Sequence, residues 1–280
     1  MIPVSRTPMW EVDQYAALID KILKTGEKRK TRAGDTFSIF GETMTIDMYS
    51  TFPLLLGRKM FYKPVLGEMA TFLQGPKNVA DFQKNGCNYW NAWGNTDPHK
   101  ADYGAINVDY GNAWRDFNGV DQLAEVVSSL VNNPTDRRML VSGWRPDNLK
   151  SLDLPCCHLL YQWYVRDGKY LDMVWYQRSV DVMVGLPSDI ILAAALNIIL
   201  AESANLVPGT LKFMLGDTHI YSNHLPGVLD YLRSLQNVRD WTPARWSVDN
   251  NITIDNFTVD SINIHNYTNH EPAIKFELNV

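Results

Sequence analysis

The sequence predicts an α+β fold with a largely β centre. Three observations carry this: two aromatic-rich strands flank an Asp-Gly turn, one long apolar segment has helical length, and no internal repeat, low-complexity tract or linker is present. With 280 residues, 45% of them hydrophobic and 20% charged, the chain suits one globular domain over 1–280 with a substantial core.

Taken in order, Tyr15, Leu18, Ile19, Ile22 and Leu23 recur at helical spacing, and Gly26 marks the helix end. Residues 27–32 (EKRKTR) read as a basic loop. The alternations Phe37/Ile39 and Met44/Ile46/Met48 predict strands. A second amphipathic helix carries Leu123, Val126, Val127, Leu130 and Val131 before an Asn-Asn-Pro stop. HLLYQWYV and YLDMVWYQ then flank Arg166-Asp167-Gly168-Lys169, a hairpin signal. Ile190 to Ala204 reads as a core helix, because it is shorter than the ~20 residues that span a bilayer and carries Asn197 and Glu202. TLKFML (210–215) is strand-like, short β-like segments follow from Asn251, and EPAIKFELNV forms a tail.

The net charge of −5 gives no global pull toward nucleic acid or an anionic membrane, so a polyanion must meet a local cluster of bases. Three cysteines, two of them adjacent, make no disulfide framework, and a reducing cytoplasm is expected. MIPVSRTPMW lacks the apolar region of a signal peptide, so the sequons at Asn251, Asn256 and Asn266 carry no glycosylation meaning.

In VGLPSDIILAA (184–194) a carboxylate, Asp189, stands at the mouth of a segment that must be buried. It reads as a helix N-cap or as a functional group. DLPCCH (153–158) holds Cys156, Cys157 and His158. The cysteine spacing is wrong for zinc, Cys87 has no spacing partner, and His219 and His224 read as hydrogen-bonding groups, so no metal is expected. Arg138 and Arg178 lie beside apolar strands, where an unpaired charge is costly, which predicts an anionic partner. Guanidinium forks match a phosphate's oxygens, and a thiol beside such a cluster gains thiolate character.

As a set, DRR, SGW, LPCCH, YQRSVD, GLP and GDTHIYSNH, in this order and with these separations, resemble the thymidylate synthase family. RAGDTFSIFG resembles its phosphate loop, GEMATFLQG its buried-glutamate helix and the last ten residues its closing tail. The resemblance implies a thymidylate synthase-like fold: a mixed β-sheet that forms a homodimer interface, with helices on the other face. It implies a cysteine, here Cys157, that adds to C6 of a pyrimidine nucleotide, so that C5 accepts a one-carbon unit from 5,10-methylenetetrahydrofolate. Arg178 then sits beside thiolate and phosphate. Arg32, Arg137, Arg138 and Ser179 complete the phosphate site, the doublet reaching across from the other subunit. His219 and Tyr221 match the residues that hold the deoxyribose hydroxyl, Glu68 the glutamate that moves protons around the base, and Tyr110 the tyrosine near C5. Trp90 and Trp93 fall where the family packs its folate, Asp181 where a carboxylate holds the pterin, and Val280 in the tail that closes over it.

Asp189 falls where synthases that use deoxyuridylate carry asparagine. Cytosine offers an N4 amino donor and an N3 acceptor, so a carboxyl that accepts from N4 and shares a proton with N3 favours deoxycytidylate (dCMP). Together with the small Ser188, Asp189 resembles the dCMP hydroxymethylase branch known from large bacterial viruses, whereas Trp90, Asp181 and the tail length resemble a methylating synthase. The expectation is therefore conversion of dCMP to 5-hydroxymethyl-dCMP. A dCMP methylase, a thymidylate synthase and a non-catalytic nucleotide- or RNA-binding relative are the alternatives. Asn107-Val108-Asp109 and Thr71 depart from the family pattern around the folate pocket.

Overall fold

The computed structural model describes residues 10–49, 51–238, 242–248, 251–267 and 273–279. A π-helical turn, Glu11–Ala16, runs into α1 (Ala17–Thr25), whose apolar stripe of Leu18, Ile19 and Ile22 is buried. There follow β1 (Glu27–Thr31), β2 (Gly34–Asp47), α2 (Tyr62–Gln74), α3 (Val79–Lys84), α4 (Asn112–Arg115), α5 (Gln122–Asn132), β3 (Leu140–Ser142), β4 (His158–Arg166), β5 (Tyr170–Asp181), α6 (Gly185–Ser203), β6 (Val207–Tyr221), α7 (Leu225–Ser234), β7 (Arg245–Val248) and β8 (Ile262–His265). Six strands form one mixed sheet in the order β1-β2-β6-β5-β4-β3, in which only β5 and β6 pair in parallel. The predicted hairpin is β4–β5, and its turn residues Asp167 and Gly168 both take the positive φ that such a tight turn requires.

Period-two alternation gives the sheet two unlike faces. Met44 and Ile46 of β2, Tyr161 and Trp163 of β4, Leu171, Met173 and Trp175 of β5, and Leu211, Phe213 and Leu215 of β6 are buried. α6 packs on β5, β6 and α2, burying Ile190–Ala201 all round. It is long and apolar enough to cross a membrane by composition, yet most of it is enclosed by the fold. The opposite face leaves Tyr164, Met214 and Leu140 exposed.

Two expectations need correction. Residues 27–31 form an edge strand, not a loop; β1 pairs only with β2 and is exposed throughout, so its lysines and arginine remain solvated and discourage further pairing. Among the described residues after 251, only Ile262–His265 is strand, paired with β7. The Ile252, Ile254 and Phe257 alternation does reach the core. Asn256, however, accepts from Thr253 N and donates to Asn251 O, turning the backbone back on itself.

Candidate active site

The sheet's one parallel pair sets the site. β5 and β6 are joined through α6, so the C-terminal ends of both strands and the start of α6 open at one edge, where ligands of such sheets bind. Register places Ser179 beside Asp217 and Asp181 beside His219. β4 is antiparallel to β5, so its first residue, His158, lies opposite Gln177 at that same edge. Cys157 is next to it, its carbonyl accepting from Arg178 N at 2.8 Å.

The Cys157 backbone N–H donates to the Tyr110 hydroxyl in a short bond, and Tyr110 stacks on Phe72 of α2 at 5.4 Å. Arg178 donates from Nε to Cys156 O at 2.8 Å and from Nη2 to Pro155 O at 3.0 Å, beneath the Trp144 ring. It thus clamps the loop that carries the thiol. Backbone carbonyls hold two of the three guanidinium nitrogens of Arg178. Arg138, expected against apolar strands, is instead exposed and paired with Asp136 at 3.1 Å. Burial pushes the Cys157 thiol up, and the neighbouring Arg178 charge draws it down. Cys156 is buried behind it.

Glu68, on α2, is buried, and its Oε1 accepts the Trp90 indole N–H at 2.6 Å. Burial raises its carboxyl to about 8, which places the proton on Oε2. Trp90 is therefore a clamp on Glu68, and the half-buried Trp93 packs on it at 5.6 Å.

Asp189 is reached through a chain of assignable donors. The Trp175 indole can only donate, so Gln177 must turn Oε1 toward it (3.3 Å) and Nε2 toward Asp189 Oδ2 (2.6 Å). Behind the other oxygen, Tyr161 Oη donates to His158 O at 3.0 Å and so accepts from His158 Nδ1 at 2.6 Å. Burial holds the imidazole down to about 3, so His158 is neutral and its Nε2 lone pair faces Asp189 Oδ1 at 3.9 Å. Burial raises the Asp189 carboxyl to about 7, and the acceptor behind Oδ1 favours the proton there. The capping expectation fails, because α6 begins at Gly185 and Asp189 lies beyond its first residues with no cap bond. The carboxylate at this turn is Asp181, whose Oδ1 accepts from Met183 N and Val184 N at 2.9 and 3.1 Å.

His219 Nδ1 lies 3.2 Å from Asp217 Oδ1, which also takes the Ser38 hydroxyl at 2.6 Å, and Tyr221 meets the His219 ring edge-on. Arg32 is exposed in the β1–β2 turn, close enough for its charge to act on Tyr221. The structure therefore gathers Cys157, Tyr110, Glu68, Arg178, Ser179, Asp181, Asp189, His219 and Tyr221 around one edge, while the exposed Arg137 and Arg138 make no contact with that cluster among the described residues. Val280 lies outside the described residues. Among those described, no cluster of three or more His, Cys, Asp or Glu is placed to hold a metal ion.

Sequence reasoning missed Gln177 and Asp217. A polar residue at an inward strand position, after Leu171, Met173 and Trp175, was the available signal for Gln177.

The thymidylate synthase family model matches residues 13–280. The thymidylate synthase of Enterobacteria phage T4 is 41% identical over 233 residues, covering 79% of this chain and 80% of that protein. The thymidylate synthase of Mycoplasma genitalium is 37% identical, covering 76% and 82%. That of Mycoplasma pneumoniae is 33% identical, covering 96% and 100%. With the matched edge of the mixed sheet carrying a thiol, an arginine and two proton-holding acids, the chain belongs to the thymidylate synthase family of folate-dependent pyrimidine C5 methyltransferases.

Proposed function

We propose that this chain transfers a one-carbon unit from 5,10-methylenetetrahydrofolate to C5 of dCMP, yielding 5-hydroxymethyl-dCMP. The observation that carries this reading is Asp189: a buried carboxyl that holds its proton to about pH 7, set on Gln177 and backed by a neutral histidine. Cys157 adds to C6, which converts C5 into a nucleophile and splits a hard alkylation into easier steps. Charge that develops toward N3 takes the Asp189 proton, while the other carboxyl oxygen accepts from the N4 amino group. Uracil already carries a proton at N3 and cannot take one there, and where Asp189 is ionised it repels O4, so deoxyuridylate is disfavoured.

Arg178 keeps Nη1 free of the carbonyl clamp for a phosphate oxygen, which Ser179 and Arg32 also meet in this reading; Asp217 orients His219, and with Tyr221 it meets the sugar hydroxyl. Glu68 holds a second proton for exchange at the base. The residues fit a folate: Asp181 spends Oδ1 on two backbone N–H groups and keeps Oδ2 for ring N–H donors, and Trp93 offers a half-buried aromatic face. When bound, the folate supplies the one-carbon unit. The small, half-buried Ser188 beside Asp189 leaves space for the water that quenches the intermediate as hydroxymethyl.

The exposed apolar face with Tyr164, Met214 and Leu140 supports a homodimer through the sheet, with Arg137 and Arg138, just before edge strand β3, reaching the partner's phosphate site. The protein acts in the cytoplasm as one catalytic domain over 1–280, without metal. A second reading is methyl transfer, as in a thymidylate synthase; the names of the relatives favour it. Turnover of dCMP and deoxyuridylate with methylenetetrahydrofolate, followed by product mass, decides: a mass gain for hydroxymethyl on dCMP supports the proposal, and conversion of deoxyuridylate alone overturns it.

A further inference from the structure

Residues 107–109, which depart from the family pattern, run directly into Tyr110, and the loop 145–156 runs directly into Cys157. Neither segment is helix or strand, yet side chains lace the two together. Asn107 N donates to Asp153 Oδ2 at 2.7 Å, Asn107 Nδ2 to Ser151 O at 2.9 Å, and Asp153 N to Asn107 O at 3.0 Å. Two residues on, Asn148 Nδ2 donates to Asp109 Oδ1 at 2.9 Å. The lacing ends at the site, where the Tyr110 hydroxyl accepts the Cys157 backbone N–H.

Asp109 is the costly member of this set. It is 2% exposed, and its Oδ2 is buried with no hydrogen-bond partner among the described residues. The Arg145 charge reaches it, but Arg145 spends Nη2 on Asn118 Oδ1 and Asp147 Oδ2, at 3.0 and 3.1 Å, and lies over the Phe117 ring. The Cys156 thiol is also within reach of the Asp109 charge and is buried. A carboxyl with one oxygen unmatched is a poor stabiliser, and an apolar side chain of similar size would fill the place at lower cost. The contacts on the Tyr110 ring, with Phe72, Trp90 and His158 at 5.4, 5.5 and 4.6 Å, confine the ring but carry little directional information. The bond from Asn148 to Asp109, one residue before Tyr110, is directional.

We propose that Asp109 is a positioning residue: through Asn148 it sets the Tyr110 segment in register with the thiol loop, so that the Tyr110 hydroxyl meets the Cys157 backbone. This rests on the reading of Cys157 as the nucleophile and Tyr110 as the group beside C5. Asp109 then serves the chemical step, without touching either substrate and without gain in stability.

The test compares D109V, which removes both carboxyl oxygens, with D109N, which keeps an acceptor for Asn148, and with N148A, which removes the donor from the other side. D109V and N148A should each lower kcat by about tenfold with KM for nucleotide within twofold of wild type, and D109N should stay within about threefold in kcat. Exchange of the Cys157 amide, measured without ligands, should quicken by about tenfold in D109V and N148A and stay near wild type in D109N. The urea midpoint of D109V should equal or exceed that of wild type, which a merely structural role does not allow. In a Y110F background, where the acceptor for the Cys157 N–H is already gone, D109V should have no further effect on kcat or exchange. Wild-type exchange in D109V, a further tenfold fall of kcat on the Y110F background, or loss of kcat only in step with stability overturns the proposal. If wild type turns over neither nucleotide, the assigned function fails, while Cys157 exchange in D109V and N148A still decides whether Asp109 sets the register.

Discussion

Replacing Asp189 with asparagine removes a proton and keeps a shape. The wild-type carboxyl sits at about 7 and holds its proton against the neutral His158, so it can hand that proton to N3 of cytosine as the ring is attacked. An amide has no acidic proton to transfer, but its NH2 donates to the O4 of uracil while its oxygen accepts from N3–H. Two hydrogen-bonding groups at the base therefore change their fit. At ~1–3 kcal/mol for each mismatch, the ratio of kcat/KM for dCMP over deoxyuridylate should fall by between about 30-fold and 10⁴-fold in D189N. The assay is competition between the two nucleotides, read by product mass. A second measurement tests the cause: the active form of Asp189 is protonated and its carboxyl is raised, so wild-type kcat/KM for dCMP should decline as pH rises through about 7. D189N should lose that limb. A ratio unchanged by the substitution, or a limb that survives it, refutes the reasoning.

C157S should lose turnover by at least about 10³-fold while still binding nucleotide, whereas C156A should stay within a few-fold, because Cys156 is buried and Cys157 only part-buried; intact-protein mass should show a nucleotide adduct only where Cys157 is present. R138A and C157S, each inactive, should regain about a quarter of wild-type activity on subunit mixing if the arginine crosses a two-fold interface, since half of the mixed dimers then hold one intact site; no recovery argues against the crossing. E11A should cost about 3 kcal/mol in urea unfolding, because the buried Glu11 accepts from Leu56 N, Gly57 N and Tyr231 Oη at 2.7 to 2.8 Å, each bond contributing about 1 kcal/mol. Binding of dCMP at pH 8, measured by calorimetry in buffers of different ionisation heat, should take up a proton that D189N does not, since Asp189 is then ionised in the free protein and shares a proton in the complex.

Much of this site was legible because it is written in short contiguous motifs at strand ends. Cys157, Arg178, Ser179, Asp181, His219 and Tyr221 need only three strands in register to meet, and strand registers follow from alternation. What depends on a second residue's chemistry was not legible. The orientation of Gln177 follows from a donor-only indole two positions back, and the neutrality of His158 from its depth. The start of α6 was misread because Gly-Leu-Pro looks like a turn, whereas Pro187 sits in the first turn of the helix, where no backbone N–H is needed. β1 was misread because an edge strand with no apolar residue has no pattern to read.

The position of Asp189 is unfavourable for folding by any local rule. Its helix has no polar face, and an ionised carboxylate there would lose more in hydration than one amide bond from Gln177 returns. The chain resolves this by keeping the acid protonated near neutrality, as it does for Glu68 across the cleft. An asparagine would satisfy Gln177 at lower cost at every pH above the carboxyl's own titration. What the acid offers in exchange is a transferable proton beside a buried thiol, and of the two bases only cytosine can take one at N3. The burial that makes this residue costly to the fold is therefore the same property that makes it selective.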